Sequence, residues 1–82
     1  MLDIELRNNF LKKISKIKDE SLKSKIKKQI EKMIENPEIG KPMRYSRKGT
    51  RELYISPYRL AYAYFPSKNK IILLEIYHKD GQ

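Results

Sequence analysis

Several chemistries are excluded by what this sequence lacks. It has no cysteine, which rules out disulfides, a thiol nucleophile and the usual cysteine-rich zinc sites. Its single histidine, His78, cannot build a metal site alone. The three glycines stand apart from one another at positions 40, 49 and 81, so there is no glycine-rich loop to cradle a phosphate. We therefore expect neither a metal nor a small-molecule cofactor.

Long apolar runs are also missing. No segment approaches the roughly 20 apolar residues that span a bilayer. The first six residues, MLDIEL, carry acids instead of a basic segment followed by an apolar one, which is unlike a secretion signal. We expect a soluble cytoplasmic protein without a membrane partner. Its 82 residues are enough for a single domain, residues 1–82, with one modest core.

Positive charge and tyrosine are what the sequence does have. Its 19 basic and 10 acidic residues give a formal charge of +9, which favours an anionic partner without choosing among RNA, DNA, lipid and acidic protein. Most of the arginines lie among tyrosines in residues 41–59, KPMRYSRKGTRELYISPYR. Arginine beside tyrosine supplies forked phosphate donors together with base-stacking faces, which suits a nucleic-acid ligand.

The first part of the chain predicts one short strand and two helices. Apolar and charged residues alternate over residues 2–6, as in a half-buried strand. Asn8 and Asn9 are predicted N-caps of a short helix, and residues 19–21 are predicted to cap a longer one. Pro37 ends the second helix near Asn36. The apolar stripes of the two helices are Phe10, Leu11, Ile14 and Ile17, then Leu22, Ile26, Ile30, Met33 and Ile34.

Beyond Gly40 the period changes to two and predicts strands. The candidates are Arg51–Ile55, Tyr58–Phe65 and Ile71–Tyr77, with a weaker one over Met43–Ser46. The breaks between them are short enough for hairpins. The predicted fold is α+β: an N-terminal strand and an antiparallel helical hairpin, packed on one face of a mainly antiparallel sheet of three to five strands.

A register that pairs Ile55 with Tyr58 and Phe65 with Ile71 divides the sheet into two faces. The helix-covered face would carry Leu53, Ile55, Tyr58, Leu60, Tyr62, Tyr64, Ile72, Leu74 and Ile76. The open face would carry Tyr54, Arg59 and Tyr77 in one row, Glu52, Ala61 and Glu75 in the next, and Lys79 beyond the last strand. This open face fits a flat anionic ligand, although Arg59 pairing only with Glu52 or Glu75 is an equally good interpretation.

Two segments resemble a known superfamily. Residues 36–44, NPEIGKPMR, and residues 49–62, GTRELYISPYRLAY, are similar to motifs of the RelE/ParE toxins. The resemblance extends over nearly the whole chain in the same order. It implies a RelE-like fold, a toxin of a type II toxin-antitoxin system, and a cognate antitoxin as partner. Within this superfamily are ribosome-dependent mRNA endoribonucleases, gyrase inhibitors and members without a clear activity.

The RelE branch implies cleavage of mRNA on the ribosome without a metal, by attack of a 2′-hydroxyl on its own phosphate. Arg59 matches the arginine of the family's Tyr-Arg motif, and Lys79 stands where the branch commonly has a catalytic arginine. These two are the predicted catalytic residues. The predicted RNA-binding residues are Arg44, Arg47, Lys48, Arg51, Tyr54 and Tyr77.

Three alternatives stay open at this point. The first is the endoribonuclease, and the second is a ParE-like toxin whose same face grips a protein such as gyrase. The third is a weakly active or regulatory member that binds its antitoxin. Glu52 and Tyr54 occupy usually basic positions, and Gln82 comes before a tail in which such toxins often place a tyrosine; both departures favour the third alternative.

Overall fold

The structure is a computed structural model that describes residues 2–42 and 49–80. Its elements are β1 (Asp3–Leu6), α1 (Asn8–Lys16), α2 (Glu20–Glu35), β2 (Lys41–Pro42), β3 (Thr50–Ile55), β4 (Tyr58–Phe65) and β5 (Lys70–His78), with a 3₁₀ turn at Pro66–Lys68. The predicted α+β fold is confirmed, and the three main strands lie within a residue of their predicted limits. The predicted strand over Met43–Ser46 lies outside the described residues.

The five strands form one mixed sheet in the order β1-β5-β4-β3-β2. β3, β4 and β5 make an antiparallel meander, while β1 lies parallel to β5 at one edge. A parallel pair needs a crossover connection, and α1 and α2 supply it between β1 and the meander. Neither helix of the described residues has the length and apolar character to cross a bilayer.

The helix ends follow local chemistry, with one correction. The carboxylate of Asp19 accepts the Ser21 and Leu22 amides at 2.9 and 3.2 Å and so caps α2, as predicted. α2 ends with Asn36 as its C-cap. The prediction that Asn8 and Asn9 cap α1 is wrong, because the extended residue before the helix is Arg7, whose side chain makes no capping hydrogen bond.

The core lies between the helices and one face of the sheet. Its most deeply buried side chains are Met33, Ile55, Leu60, Tyr62, Ile71, Leu73 and Ile76. Phe10, Ile17 and Ile26 complete it from the helix side. Leu11 and Ile34, predicted within the helix stripes, are 44% and 37% exposed, since each lies at the margin of its stripe and faces away from the sheet.

A β-bulge changes the predicted register of β5. Ala61 pairs with Glu75, but the next residue, Tyr62, pairs with Leu73, so that Leu74 is the extra residue. Phe65 therefore pairs with Lys70 and not with Ile71. The prediction that Ile72 and Leu74 lie in the core is wrong, because the one-residue shift turns Ile71 and Leu73 inward in their place.

The loop after α2 is tied to the core by Tyr62. The Tyr62 hydroxyl donates to the Pro37 carbonyl at 2.8 Å and accepts the Gly40 amide at 2.9 Å. A Cβ on Gly40 would stand 2.7 Å from that hydroxyl oxygen, which explains why this position needs glycine. The segment that resembles a family motif therefore fixes β2 beside β3.

Candidate functional site

The open face of the sheet has the rows that the sequence predicts. Arg59 on β4 lies between Tyr54 on β3 and Tyr77 on β5. In the next row Ala61 lies between Glu52 and Glu75. The bulge comes after this row, so the predicted register holds where the candidate site lies. The small side chain of Ala61 leaves room above the sheet for the larger groups on either side.

The guanidinium of Arg59 is only partly paired. Its Nη1 atom donates to Glu52 Oε1 at 3.0 Å in an ion pair. Its buried Nε atom has no hydrogen-bond partner among the described residues. A guanidinium has five donors in a planar fork, so Arg59 keeps hydrogen-bonding capacity for an anionic ligand. Arg59 therefore pairs with Glu52, as one interpretation of the sequence expects, and keeps further donors for a ligand, as the other expects.

Tyr77 shares the carboxylate of Glu52. Its hydroxyl donates to Oε2, while Arg59 occupies Oε1. Burial, together with the hydrogen bond to this carboxylate, raises the pKa of the Tyr77 hydroxyl above its ordinary value of 10.0. Tyr77 is therefore a neutral hydrogen-bond donor at physiological pH, and it holds Glu52 in place.

Tyr54 offers a ring to the solvent. The residue is 54% exposed, and the Lys79 ammonium group stands 5.8 Å from the ring centroid, within the range of a cation–π contact. An exposed ring beside cations can stack a nucleobase while the cations meet its phosphates. Lys79 is held at this place because its backbone amide donates to the Pro57 carbonyl at 2.9 Å.

These side chains surround a cleft of about 480 Å³. Its lining residues are Ile39, Lys41, Glu52, Leu53, Tyr54, Arg59 and Lys79. The cleft therefore contains three cations, one carboxylate and one exposed aromatic ring. Its size and its groups suit a nucleotide segment of a larger polyanion.

The structure does not bring Arg51 to the cleft. Arg51 pairs across the sheet with Tyr62, on the helix-covered face. Its Nη1 atom donates to the carbonyls of Glu38 and Gly40 at 3.1 and 2.8 Å, and Nη2 lies 3.8 Å from the Glu38 carboxylate. These contacts stabilise the loop after α2 and leave little of the guanidinium for RNA.

Of the other predicted RNA-binding residues, Arg44, Arg47 and Lys48 lie outside the described residues. His78 packs edge-on against Tyr58, with ring centroids 5.4 Å apart, and is not among the residues that line the cleft. Within residues 2–42 and 49–80 no group of three or more His, Asp and Glu side chains is placed to hold a metal ion.

Four lining residues were not predicted as site residues: Ile39, Lys41, Glu52 and Leu53. Lys41 reaches the cleft because β2 places it opposite Glu52. The sequence offers no signal for a strand of two residues. Glu52 did carry a signal, since strand parity puts it on the same face as Arg59, one row away.

The fold of this protein is that of the RelE toxins. Its structure matches the RelE toxin of Escherichia coli with a TM-score of 0.82 and 17% identity, covering 100% of this chain and 88% of that one. A RelBE toxin-antitoxin complex from Mycobacterium tuberculosis matches with a TM-score of 0.78 and 19% identity over 94% and 96% of the two chains. At these identities the likeness shows a common fold.

An archaeal RelE-RelB complex from Pyrococcus horikoshii also matches, with a TM-score of 0.77, 10% identity and 96% coverage of each chain. No curated protein matches the sequence. Residues 4–82 match the family model of the ParE toxin of type II toxin-antitoxin systems. The chain therefore belongs to the ParE toxin family and is a toxin of a type II toxin-antitoxin system, which confirms the resemblance seen in its motifs.

Proposed function

We propose that this toxin stops translation by cleaving mRNA on the ribosome. The observation that carries the proposal is the Arg59 guanidinium on the open face, which lies between Tyr54 and Tyr77 and whose side chain is 34% exposed. A fork of this kind contacts two phosphate oxygens at once. The fold shared with RelE toxins supports the same activity.

In this mechanism the 2′-hydroxyl of a nucleotide attacks the neighbouring phosphate in line with the leaving 5′-oxygen. The Arg59 guanidinium stabilises the negative charge that grows on the phosphate oxygens. The Tyr54 ring stacks on a base and holds the nucleotide over the cleft, while Lys41 contacts a flanking phosphate and Lys79 lies beside the reacting one. Positioning matters greatly here, because in-line attack requires an RNA conformation that free RNA seldom adopts.

A cognate antitoxin is the second partner in this proposal. RelE toxins have been crystallised in complexes with RelB antitoxins, and a chain with a formal charge of +9 attracts an acidic antitoxin. We expect the antitoxin to cover the cleft or to displace a lysine from it. Either arrangement would keep mRNA away from Arg59.

The test is brief induction of the toxin in cells, followed by mapping of new mRNA 5′ ends by primer extension. We expect cuts within translated codons, their loss in the Arg59→Ala variant, and their suppression when the cognate antitoxin is co-expressed. Growth arrest with intact transcripts would refute mRNA cleavage.

A second candidate is inhibition of DNA gyrase, as in ParE-like toxins. It is favoured by the family match itself and by the Glu52 carboxylate, which neutralises part of the charge of Arg59. A supercoiling assay with purified gyrase and toxin separates the two, since this candidate requires inhibition in the absence of ribosomes.

A further inference from the structure

The position and the contacts of Glu52 are those expected of a catalytic side chain. Its side chain is 22% exposed, and each carboxylate oxygen is held by a separate donor, Arg59 Nη1 on Oε1 and the Tyr77 hydroxyl on Oε2. It is the only carboxylate among the described residues that line the cleft. Each carboxylate oxygen has two lone pairs and receives one of these donors, so Glu52 keeps acceptor capacity for the hydroxyl of a ligand.

The register places Glu52 and Lys79 on opposite sides of Arg59. The row that contains Glu52 precedes the row of Arg59 along β3, since Tyr54 lies two residues after Glu52. Lys79 lies two residues beyond Tyr77, which pairs with Arg59. With a rise of about 3.3 Å per residue, each of them stands roughly 7 Å along the strands from the arginine row.

Opposite placement is what in-line displacement at phosphorus requires. The attacking and leaving oxygens stand on opposite sides of the phosphorus atom, so the proton acceptor and the proton donor must do the same. A phosphate bound to Arg59 would have Glu52 on one side and the Lys79 ammonium group on the other. Tyrosine and lysine side chains, with ordinary pKa values near 10, are poor bases at neutral pH.

We propose that Glu52 is the general base of the cleavage reaction, a catalytic residue that removes the proton of the attacking 2′-hydroxyl. This inference rests on the proposed function. The O2′–P bond forms as the proton passes to Glu52, and the P–O5′ bond breaks as the leaving oxygen takes a proton from Lys79. The products are a 2′,3′-cyclic phosphate and a 5′-hydroxyl end, and solvent restores both side chains.

Tyr77 is a positioning residue in this scheme. Its hydroxyl fixes one carboxylate oxygen of Glu52 while Arg59 fixes the other, which sets the orientation of the carboxylate. Arg59 has two roles, because it orients Glu52 through Nη1 and presents its remaining donors to the phosphate. In this scheme the Glu52–Arg59 ion pair takes part in catalysis and is more than a surface contact between opposite charges.

The experiment is single-turnover cleavage of mRNA on programmed ribosomes by the wild type, Glu52→Gln and Glu75→Gln. Glu75 is the matched control, since it lies in the same row as Glu52 and across Ala61 from it. We expect E52Q to lower the rate about 10²- to 10⁴-fold, while toxin binding to the ribosome is unchanged and E75Q cleaves like the wild type. Glu52→Asp, which keeps a carboxylate, should recover part of the activity.

A second substrate shows whether Glu52 acts on the attacking hydroxyl or on the leaving oxygen. Replacing the bridging 5′-oxygen by sulfur supplies a leaving group that needs no proton donor. On this substrate E52Q should still cleave much more slowly than the wild type. A Lys79→Met variant, which lacks the proton donor, should cleave it at a rate closer to that of the wild type. Rescue of E52Q by the sulfur substrate would overturn the assignment of Glu52 as base.

The outcomes separate this inference from the function beneath it. If the wild type cleaves and folded E52Q cleaves equally fast or faster, the base assignment is wrong and Glu52 only restrains Arg59. If the wild type cuts no mRNA on ribosomes, the proposed function is wrong, and so is the assignment of Glu52 as general base. Thermal melting of each variant and its binding to the antitoxin show whether it is folded.

Discussion

Arg51 and Arg59 lie on neighbouring strands, yet the two faces of the sheet give them different environments. Arg51 donates to two backbone carbonyls and faces the carboxylate of Glu38. Arg59 donates to one carboxylate and keeps a buried Nε without a partner among the described residues. The first guanidinium is occupied by the protein's own loop, whereas the second has donors to spare for a ligand.

Two tyrosines also have different partners on the two faces of the sheet. Tyr62 on the covered face joins Pro37 and Gly40 through its hydroxyl, and Tyr77 on the open face donates to Glu52. Both hydroxyls have raised pKa values, chiefly because of burial. Arginine and tyrosine therefore hold a loop on one face and the Glu52 carboxylate on the other. Composition alone does not distinguish these roles, but hydrogen-bond partners do.

Among the changes that test this comparison of the two faces, loss of Arg59 should have the largest effect. Arg59→Ala removes the group that we propose stabilises the growing phosphate charge, and we expect cleavage to fall about 10²- to 10³-fold. Stability should fall by only about 1 kcal/mol, since the ion pair with Glu52 is partly exposed. Plating efficiency after induction measures the loss of toxicity, and full toxicity of the variant would remove Arg59 from the site.

Filling the space at Gly40 tests the covered face. Gly40→Ala places a methyl group 2.7 Å from the Tyr62 hydroxyl and 3.0 Å from the Glu52 carbonyl oxygen, so the loop or the tyrosine must move. We expect a loss of about 1–3 kcal/mol in the free energy of unfolding, measured by urea titration. Gly49→Ala is a useful comparison, because that position is strained by its φ of 82° and has no such clash with Tyr62.

Removing Arg51 should destabilise the protein without disabling it. Arg51→Ala leaves two loop carbonyls without their charged donor, for an expected cost of about 2 kcal/mol. The cleft residues keep their contacts, so cleavage at temperatures well below melting should match the wild type. A folded R51A that binds the ribosome but does not cleave would show that the two arginines are not divided as we describe.

The smallest expected effect is on stability at high pH. Because Tyr62 and Tyr77 have pKa values raised above 10.0 in the folded state, the unfolded chain loses these protons first. Stability is then fully present below pH 10 and falls as pH rises through the folded values, by at most about 1.4 kcal/mol per pH unit for each proton. Tyr77→Phe should make this fall less steep, as measured by urea titrations from pH 9 to 11.

The sequence alone predicts most of the sheet and three of the seven residues that line the cleft. Alternation defines β3 and β4 clearly, and the short turn at residues 56–57 sets the pairing of Ile55 with Tyr58. The row of Tyr54, Arg59 and Tyr77 follows from that pairing. The site can be found because it lies beside this turn, where few residues separate the strands.

The bulge could not be predicted, for a physical reason. Residues 71–74, IILL, are all apolar, so no polar residue marks which side faces water, and either register buries two large side chains. The role of Arg51 was missed for a different reason. Its partners belong to the loop after α2, and only the folded chain places that loop against the covered face.

The central claim is that Arg59 acts on RNA while Arg51 holds the fold. The most direct measurement compares purified wild type, R59A and R51A for mRNA cleavage on programmed ribosomes, with melting curves from the same preparations. The account predicts a folded R59A that does not cut and an R51A that melts lower but still cuts. Cleavage by R59A at the rate of the wild type, or equal loss of cleavage in both folded variants, would contradict it.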